Sequence, residues 1–399
     1  MAVETSHSAT DPASLNHFRR PGVARSTQGS PLRSFRVILF IAAFLPYIKT
    51  SPMGTDVQPH FMFLLFLYFL LHMAQTRSVP ISYVSLSLSF FMFSFAVAAG
   101  SVVTAAALMS IPPTIAVTRR FPEREIVIAA KCATMIYIIG VPLEIIAPDF
   151  LNSVLPRFDG NSIRGFKSFA TEPSYLGLAG VALTTVLLHF RQNIFWIALS
   201  SSVVIVSQSL TALAPLALIL VFGMFRFNRL HYFLLTGTVL YFLFQFLASL
   251  EGTRIAFLLN TFLTYPELLL QDGSVSNRIA RAVVPLKTAA EDFLIPHRFP
   301  EPWDLPVTYT FLSPWTDMYV ERLSSFGIVL IYIFGIFSLP LFVGYIAQIR
   351  ARPFLMIALF YFIFTLISMA TPYASIIIAL PLRDKRRMLF LKGGGRFLK

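Results

Sequence analysis

Glu172 lies in the run Phe169-Ala170-Thr171-Glu172-Pro173-Ser174, just after the basic residues Arg157, Arg164 and Lys167. A carboxylate held among cations at a helix start can orient a sugar hydroxyl or accept its proton. The same run also spells an ordinary helix N-terminus, with a Thr or Ser cap, an acid in the first turn and Pro near the start. Arg278 and Arg281, in Asn277-Arg278-Ile279-Ala280-Arg281, are three apart and share one face of a helix. Paired guanidinium groups suit a diphosphate, which calls for several donors in fixed geometry; they equally suit lipid headgroups, as interfacial anchors. Asp317 and Glu321 stand four apart at another helix start. There they can hold a cation or sugar hydroxyls, or simply favour the positive end of the helix. His60, His72, His189 and His231 fall near the ends of apolar runs without metal-ligand spacing, so no metal site is expected.

The elements that must position these groups are apolar. Of 399 residues 56% are apolar and only 13% charged, against roughly 25% charged in an ordinary soluble domain. Mean hydropathy is +0.71, and one core of this size cannot hide so much apolar surface. The expected fold is all-α: a polytopic integral membrane protein. Soluble enzymes, disulfide scaffolds and nucleic-acid-binding domains are excluded by the same numbers. The single Cys132, inside an apolar run, can form no internal disulfide and reads as a small packing residue.

A helix needs roughly 20 residues to cross the hydrocarbon, with about 17 as the lower limit. Candidate spans fall at 34–49, 58–74, 80–98, 100–117, 126–147, 173–189, 193–207, 209–225, 231–249, 319–347, 353–370 and 371–383. Three of these are short, and the break at Gly100 interrupts one continuous apolar run, which leaves about 10–12 spans. Charge tests the layout. With the N-terminus inside, the inner segments hold 21 of the 32 Lys and Arg and only 5 of the 19 acids. The outer loops hold 9 basic and 12 acidic residues. Every inner connection is net positive, as the positive-inside rule requires. The net charge of +13 is thus mainly an orientation signal, placing both termini in the cytoplasm. Residues 1–33 read as a disordered tail and 384–399 as a basic one able to touch anionic headgroups. The apolar stretch 37–48 reads as an uncleaved first span, because no small-residue cleavage site follows it.

Two outer loops exceed what a connection requires: 148–172, with 25 residues, and 250–318, with about 69, against the usual 2–8 between bundle helices. The longer contains an apolar stretch from Ile255 to Gln271 and a short amphipathic helix from Ile279 to Ala290. Such segments are expected on the outer membrane face or folded back into the bundle. The inner side has no comparable elaboration, so chemistry is expected on the outer face. Glu144 faces the same side, Lys131 can snorkel inward, and the Ser-rich stretches 84–94 and 199–213 suit close helix packing. No run of buried acids resembles a proton relay.

The layout resembles the Wzy-type polysaccharide polymerases of bacterial surfaces, within the O-antigen polymerase and ligase group. Phe169 to Gly177 is similar to that family's "F-x-E-P-S-x-x-G" element, and Ser207-Gln208-Ser209-Leu210-Thr211 to its Ser/Thr element. Ser276-Asn277-Arg278 resembles the family's loop arginine, and Glu321 with Gly327-Ile328 its closing "E-x-x-x-x-G-I". The resemblance implies a multispan, GT-C-like glycosyltransferase at the outer face of the bacterial plasma membrane. It would join undecaprenyl-diphosphate-linked oligosaccharides for O-antigen, capsule or exopolysaccharide, with a flippase and a chain-length regulator as expected partners. A hydroxyl of one repeat unit would attack the anomeric carbon of the growing chain, and undecaprenyl diphosphate would leave. No cofactor is implied, and no divalent metal is required if arginines stabilise the leaving group. Under this resemblance Arg278 and Glu172 carry the chemistry, while Arg157, Arg164, Lys167, Arg281, Asp317 and Glu321 bind substrate. The ligase branch usually has a His before its closing element; here the stretch is Ser313-Pro314-Trp315-Thr316-Asp317, which favours a polymerase. The Gly-rich turn often found after the loop arginine is replaced by Pro296 to Pro302. A flippase for the same lipid-linked oligosaccharide is the alternative from another class. Transporters, however, usually show two similar halves and charges near the midplane, and this chain shows neither.

Overall fold

The computed structural model describes residues 31–50, 57–77, 82–100, 102–156, 165–224, 230–250, 252–298, 305–307, 320, 323, 325–340, 342–343, 352–364 and 372–382. Arg157, Arg164, Asp317 and Glu321 lie outside these residues, as do most of both tails. Among the described residues every regular element is helical. The helices that matter for the site are α1 (Pro31–Phe44), α2 (His60–Thr76), α3 (Tyr83–Ala98), α4 (Val102–Met109), α5 (Ile111–Arg120), α6 (Glu123–Ile146), α7 (Pro148–Val154), α8 (Pro173–His189), α9 (Ile194–Ser207), α10 (Leu210–Met224), α11 (Leu230–Ser249), α12 (Arg254–Thr264), α13 (Gly273–Glu291) and α14 (Phe326–Phe334). Helices Pro353–Phe364 and Tyr373–Leu382 follow.

Hydropathy places most of these elements correctly. The expected span 173–189 coincides with α8, and 193–207, 209–225 and 231–249 match α9, α10 and α11 to within about a residue. α6 has 24 residues and is long and apolar enough to cross a membrane; nine other described apolar helices have 10–17 residues. Three expectations need correction. α1 opens at Pro31, inside the tail read as disordered. The span expected at 100–117 is two helices, α4 and α5, broken at Ser110 ahead of Pro112 and Pro113, since neither proline can supply the N–H of a continuing helix. The span expected at 319–347 is interrupted: α14 ends at Phe334, a 3-10 turn covers Gly335–Ser338, and α-helix resumes at 339–340 and 342–343.

α8 is the central helix. Every residue from Leu176 to His189 is buried, because α6, α9, α10 and helix Pro353–Phe364 surround it. The sequence permits this: α8 carries Gly177, Ala179, Gly180, Ala182, Thr184 and Thr185, small residues that allow close approach. Thr184 Oγ1 donates to Ser200 Oγ of α9 at 2.9 Å, so a hydroxyl inside the bundle finds its partner across the helix pair. The direction of the helices follows from their contacts. At one end of the bundle Arg352, just before helix Pro353–Phe364, meets His189 at the end of α8, 3.2 Å apart. Near that end, Arg36 of α1 makes a two-pronged ion pair with Glu125 of α6, at 2.7 and 2.8 Å. The opposite end gathers the starts of α8, α10 and α14 with the end of helix Pro353–Phe364, whose Ile363 carbonyl accepts from Ser325 Oγ at 2.8 Å.

Candidate functional site

A cavity of about 160 Å³ opens at that opposite end, room for roughly ten water molecules at about 10–15 Å³ each. Ser174, Thr211 and Arg278 form its polar wall, and Leu178, Ala282, Ile328 and Phe364 its apolar wall. These residues come from five helices and are separated by up to 190 positions, from Ser174 to Phe364. Each of the four motif segments singled out in the sequence supplies a wall residue. Ser174 belongs to the Glu-Pro-Ser element, Thr211 to the Ser/Thr element, Arg278 to the loop-arginine element and Ile328 to the closing element.

Arg278 reaches the cavity from the second turn of α13, and its Nη1 donates to Thr211 Oγ1 at 3.2 Å. α13 runs from Gly273 to Glu291, a longer helix than the 279–290 stretch that periodicity marks. Asp272 starts it, with Oδ1 accepting from Val275 N at 3.0 Å. The far end of α13 is fixed as well. Ile336 N donates to Leu294 O at 2.8 Å and His297 N to Tyr332 O at 3.1 Å, while the His297 ring stacks on Tyr332 with centroids 4.6 Å apart. The segment carrying α13 therefore folds back into the bundle and packs against α14. Lys287 and Glu291 pair along its surface at 3.7 Å. Arg281, one turn beyond Arg278, is not among the described residues lining the cavity.

Glu172 occupies the N-cap position of α8 with extended backbone, and its carbonyl accepts from Tyr175 N and Leu176 N at 3.0 and 3.1 Å. Its carboxylate does not cap the helix. Instead Oε2 accepts from Ser174 Oγ at 3.1 Å, which leaves the side chain exposed next to a wall residue of the cavity, although Glu172 itself is not among the described residues lining it. The reading of Thr171 or Glu172 as a conventional side-chain cap is thereby corrected; Thr171 Oγ1 is buried and has no hydrogen-bond partner. Pro173 at the first helical position needs no N–H partner, which removes one orphan donor that a cap would serve. Gly177 fixes how closely α8 starts against α10, since a Cβ there would lie 2.6 Å from the Ala212 Cβ and 3.0 Å from Ser207 Oγ.

Among the described residues the cavity wall itself carries positive groups, with the Glu172 carboxylate beside it. Ser174, Thr211 and Ile328 each sit in the first turn of their helix, so three positive helix ends surround the cavity together with one guanidinium. α14 spends part of this on its own cap, Ser325 Oγ accepting from Ile328 N at 3.3 Å. Lys167 is buried, 5% exposed, and is not among the described lining residues; its backbone N–H bonds to Glu144 at 2.8 Å. Ser174 and Thr211 stood inside the motifs without being read as site residues. Their signal was a hydroxyl in the first turn after a polar break. No group of three or more His, Cys, Asp or Glu that could hold a metal ion occurs among the described residues. Compared with protein-family models, curated proteins and solved structures, the chain finds no match in any of the three.

Proposed function

We propose that this chain is a membrane glycosyltransferase that polymerises undecaprenyl-diphosphate-linked oligosaccharide repeat units at the outer face of the plasma membrane. The observation that carries the reading is the single cavity on which Ser174, with Glu172 bonded to it, and Arg278, held by Thr211, converge. The charge distribution along the sequence supports an outside position for that end of the bundle. A lipid-linked oligosaccharide offers matching parts: an anionic diphosphate, hydroxyl-rich sugars and an apolar tail. In this reading Arg278 and the three helix starts stabilise the charge that develops on the departing diphosphate. Glu172 at the rim orients the acceptor hydroxyl or takes its proton. The bond formed joins that hydroxyl oxygen to the anomeric carbon, and the bond broken is the one from that carbon to the diphosphate. Arg157, Arg164, Arg281, Asp317 and Glu321 remain candidates for holding the sugars.

The test is the glycan profile of cells lacking the gene, complemented with the wild-type chain or with Arg278→Ala at equal membrane level. A single repeat unit with no ladder, restored to a ladder by the wild type alone, is the expected result. Long chains stranded on undecaprenyl diphosphate would identify a ligase, and repeat units trapped on the inner leaflet a flippase. Normal chain lengths with Arg278→Ala would sink the diphosphate role.

A further inference from the structure

Glu144 is two residues from the end of α6, 28 positions before Glu172, and the proposed chemistry does not use it. Its Oε2 accepts two backbone N–H groups at once, from Lys167 and from Ser168, both at 2.8 Å. Charge-assisted bonds of this length are the strong class. Ser168 beside it has a φ of 52°, a left-handed backbone that a non-glycine residue adopts only when its surroundings hold it there. Two further contacts hold it. Ser168 Oγ donates to the Tyr137 carbonyl at 2.6 Å, with Ser168 fully buried. Gly140 leaves the room, since a Cβ at 140 would run into Ser168 Oγ and lie 2.7 Å from the Phe169 ring. The other side of the segment bonds to α9, with Phe166 N donating to Val206 O at 3.3 Å. The strap 165–171 is therefore stretched between α6 and the α9–α10 corner, and Glu172 follows it directly.

We propose that Glu144 is a positioning residue: by gripping the strap through the Lys167 and Ser168 amides, it presents Glu172 at the rim of the cavity. This rests on the polymerase reading of that cavity. Three features would not be needed together for helix stability alone: a carboxylate aimed at two consecutive amides, a left-handed serine, and a glycine at the contact. They fix the strap at a point four residues before the Glu172 carboxylate, whose own bond to Ser174 then completes the placement.

The experiment uses the full chain in bilayer nanodiscs, comparing wild type with Glu144→Ala and Glu144→Gln. Amide hydrogen exchange is followed at residues 167 and 168, and elongation of lipid-linked repeat units is followed by gel. Glu144→Ala should speed exchange at those two amides about tenfold or more and slow maximal elongation about tenfold, as loss of a charge-assisted bond predicts. The donor KM should stay within about twofold, because the diphosphate contacts are untouched. Glu144→Gln keeps an acceptor oxygen and should fall between. The double variant Glu144→Ala/Glu172→Ala should elongate no more slowly than Glu172→Ala alone, as expected when one residue acts through the other. If Glu144→Ala does not reach the membrane, Glu144→Gln and Ser168→Ala carry the same two readouts. Unchanged exchange at 167 and 168, or an additive double variant, would overturn the proposal. A wild-type chain that elongates nothing would instead overturn the polymerase reading, and the exchange result alone would then decide whether Glu144 holds the strap.

Discussion

Two arginines at opposite ends of the bundle meet very different surroundings. Arg36, in α1, donates through Nε and Nη2 to both oxygens of Glu125, a carboxylate whose side chain is only 4% exposed, and its guanidinium also covers the Phe121 ring at 5.5 Å. Charge there is met by charge, in fixed geometry, among aromatic rings. Arg278 stands on the wall of a cavity ringed by helix starts, where one of its contacts is a neutral hydroxyl, Thr211 Oγ1. The first arrangement fastens two helices together. The second places a guanidinium on the wall of a space that a ligand can fill. An arginine in an apolar chain is thus not informative by type, and its meaning lies in what it faces.

That contrast can be broken or sharpened by substitution. The largest effect is expected at the fastening end: Glu125→Ala strips the half-buried Arg36 guanidinium of its buried carboxylate and should cost about 3 kcal/mol of stability. The readout is loss of protein from the membrane and a lower thermal midpoint in detergent; a variant as stable as wild type would show that the pair fastens nothing. Arg278→Ala should reverse the pattern, with unchanged membrane level and thermal midpoint. Its elongation rate should fall by about 10²–10³, the usual cost of removing one charge-stabilising donor. Loss of stability comparable to Glu125→Ala would make Arg278 a second fastener. Gly177→Ala should cost about 1–3 kcal/mol by overpacking, because its Cβ collides with Ala212; elongation should fall further than stability, since the displaced start of α8 carries Glu172 and Ser174. The smallest effect belongs to Thr211→Val, which keeps the shape and loses the bond to Arg278. A change of about 0.5–1.5 kcal/mol is expected, seen as a severalfold loss of elongation with stability intact.

The long loop and the helical core differ in how far they could be read ahead. Hydropathy marked α8, α9, α10 and α11 almost to the residue, because burial of an apolar segment is a local property summed along the chain. It missed the break inside 319–347, where apolar residues continue past Phe334 but the chain tightens at Gly335, which lies against the Leu294 carbonyl, before helix resumes. Hydropathy sees the apolar composition and not the neighbour. The amphipathic stretch from Ile279 was visible as a helix. Folding back into the bundle was one of the two expectations for it; that the contact is with α14, and so turns Arg278 toward the α10 start, was not legible.

Sequence by itself determined the all-helical class and the order of the helices, and it marked the charge asymmetry along the chain and the motif residues proposed to act. Those are local properties: composition, periodicity and the chemistry of single side chains. Only the tertiary structure decided that Ser174, Thr211, Arg278 and Ile328 share one cavity, and that the Glu172 carboxylate bonds Ser174 instead of capping α8. It also decided that Glu144, which the sequence placed on the loop side without a role, bonds the strap before them. The physical reason is separation along the chain. Thr211 and Arg278 are 67 positions apart and Glu144 and Lys167 are 23 apart, so no local periodicity couples them. They meet because α8, packed on all sides, fixes where its neighbours can start.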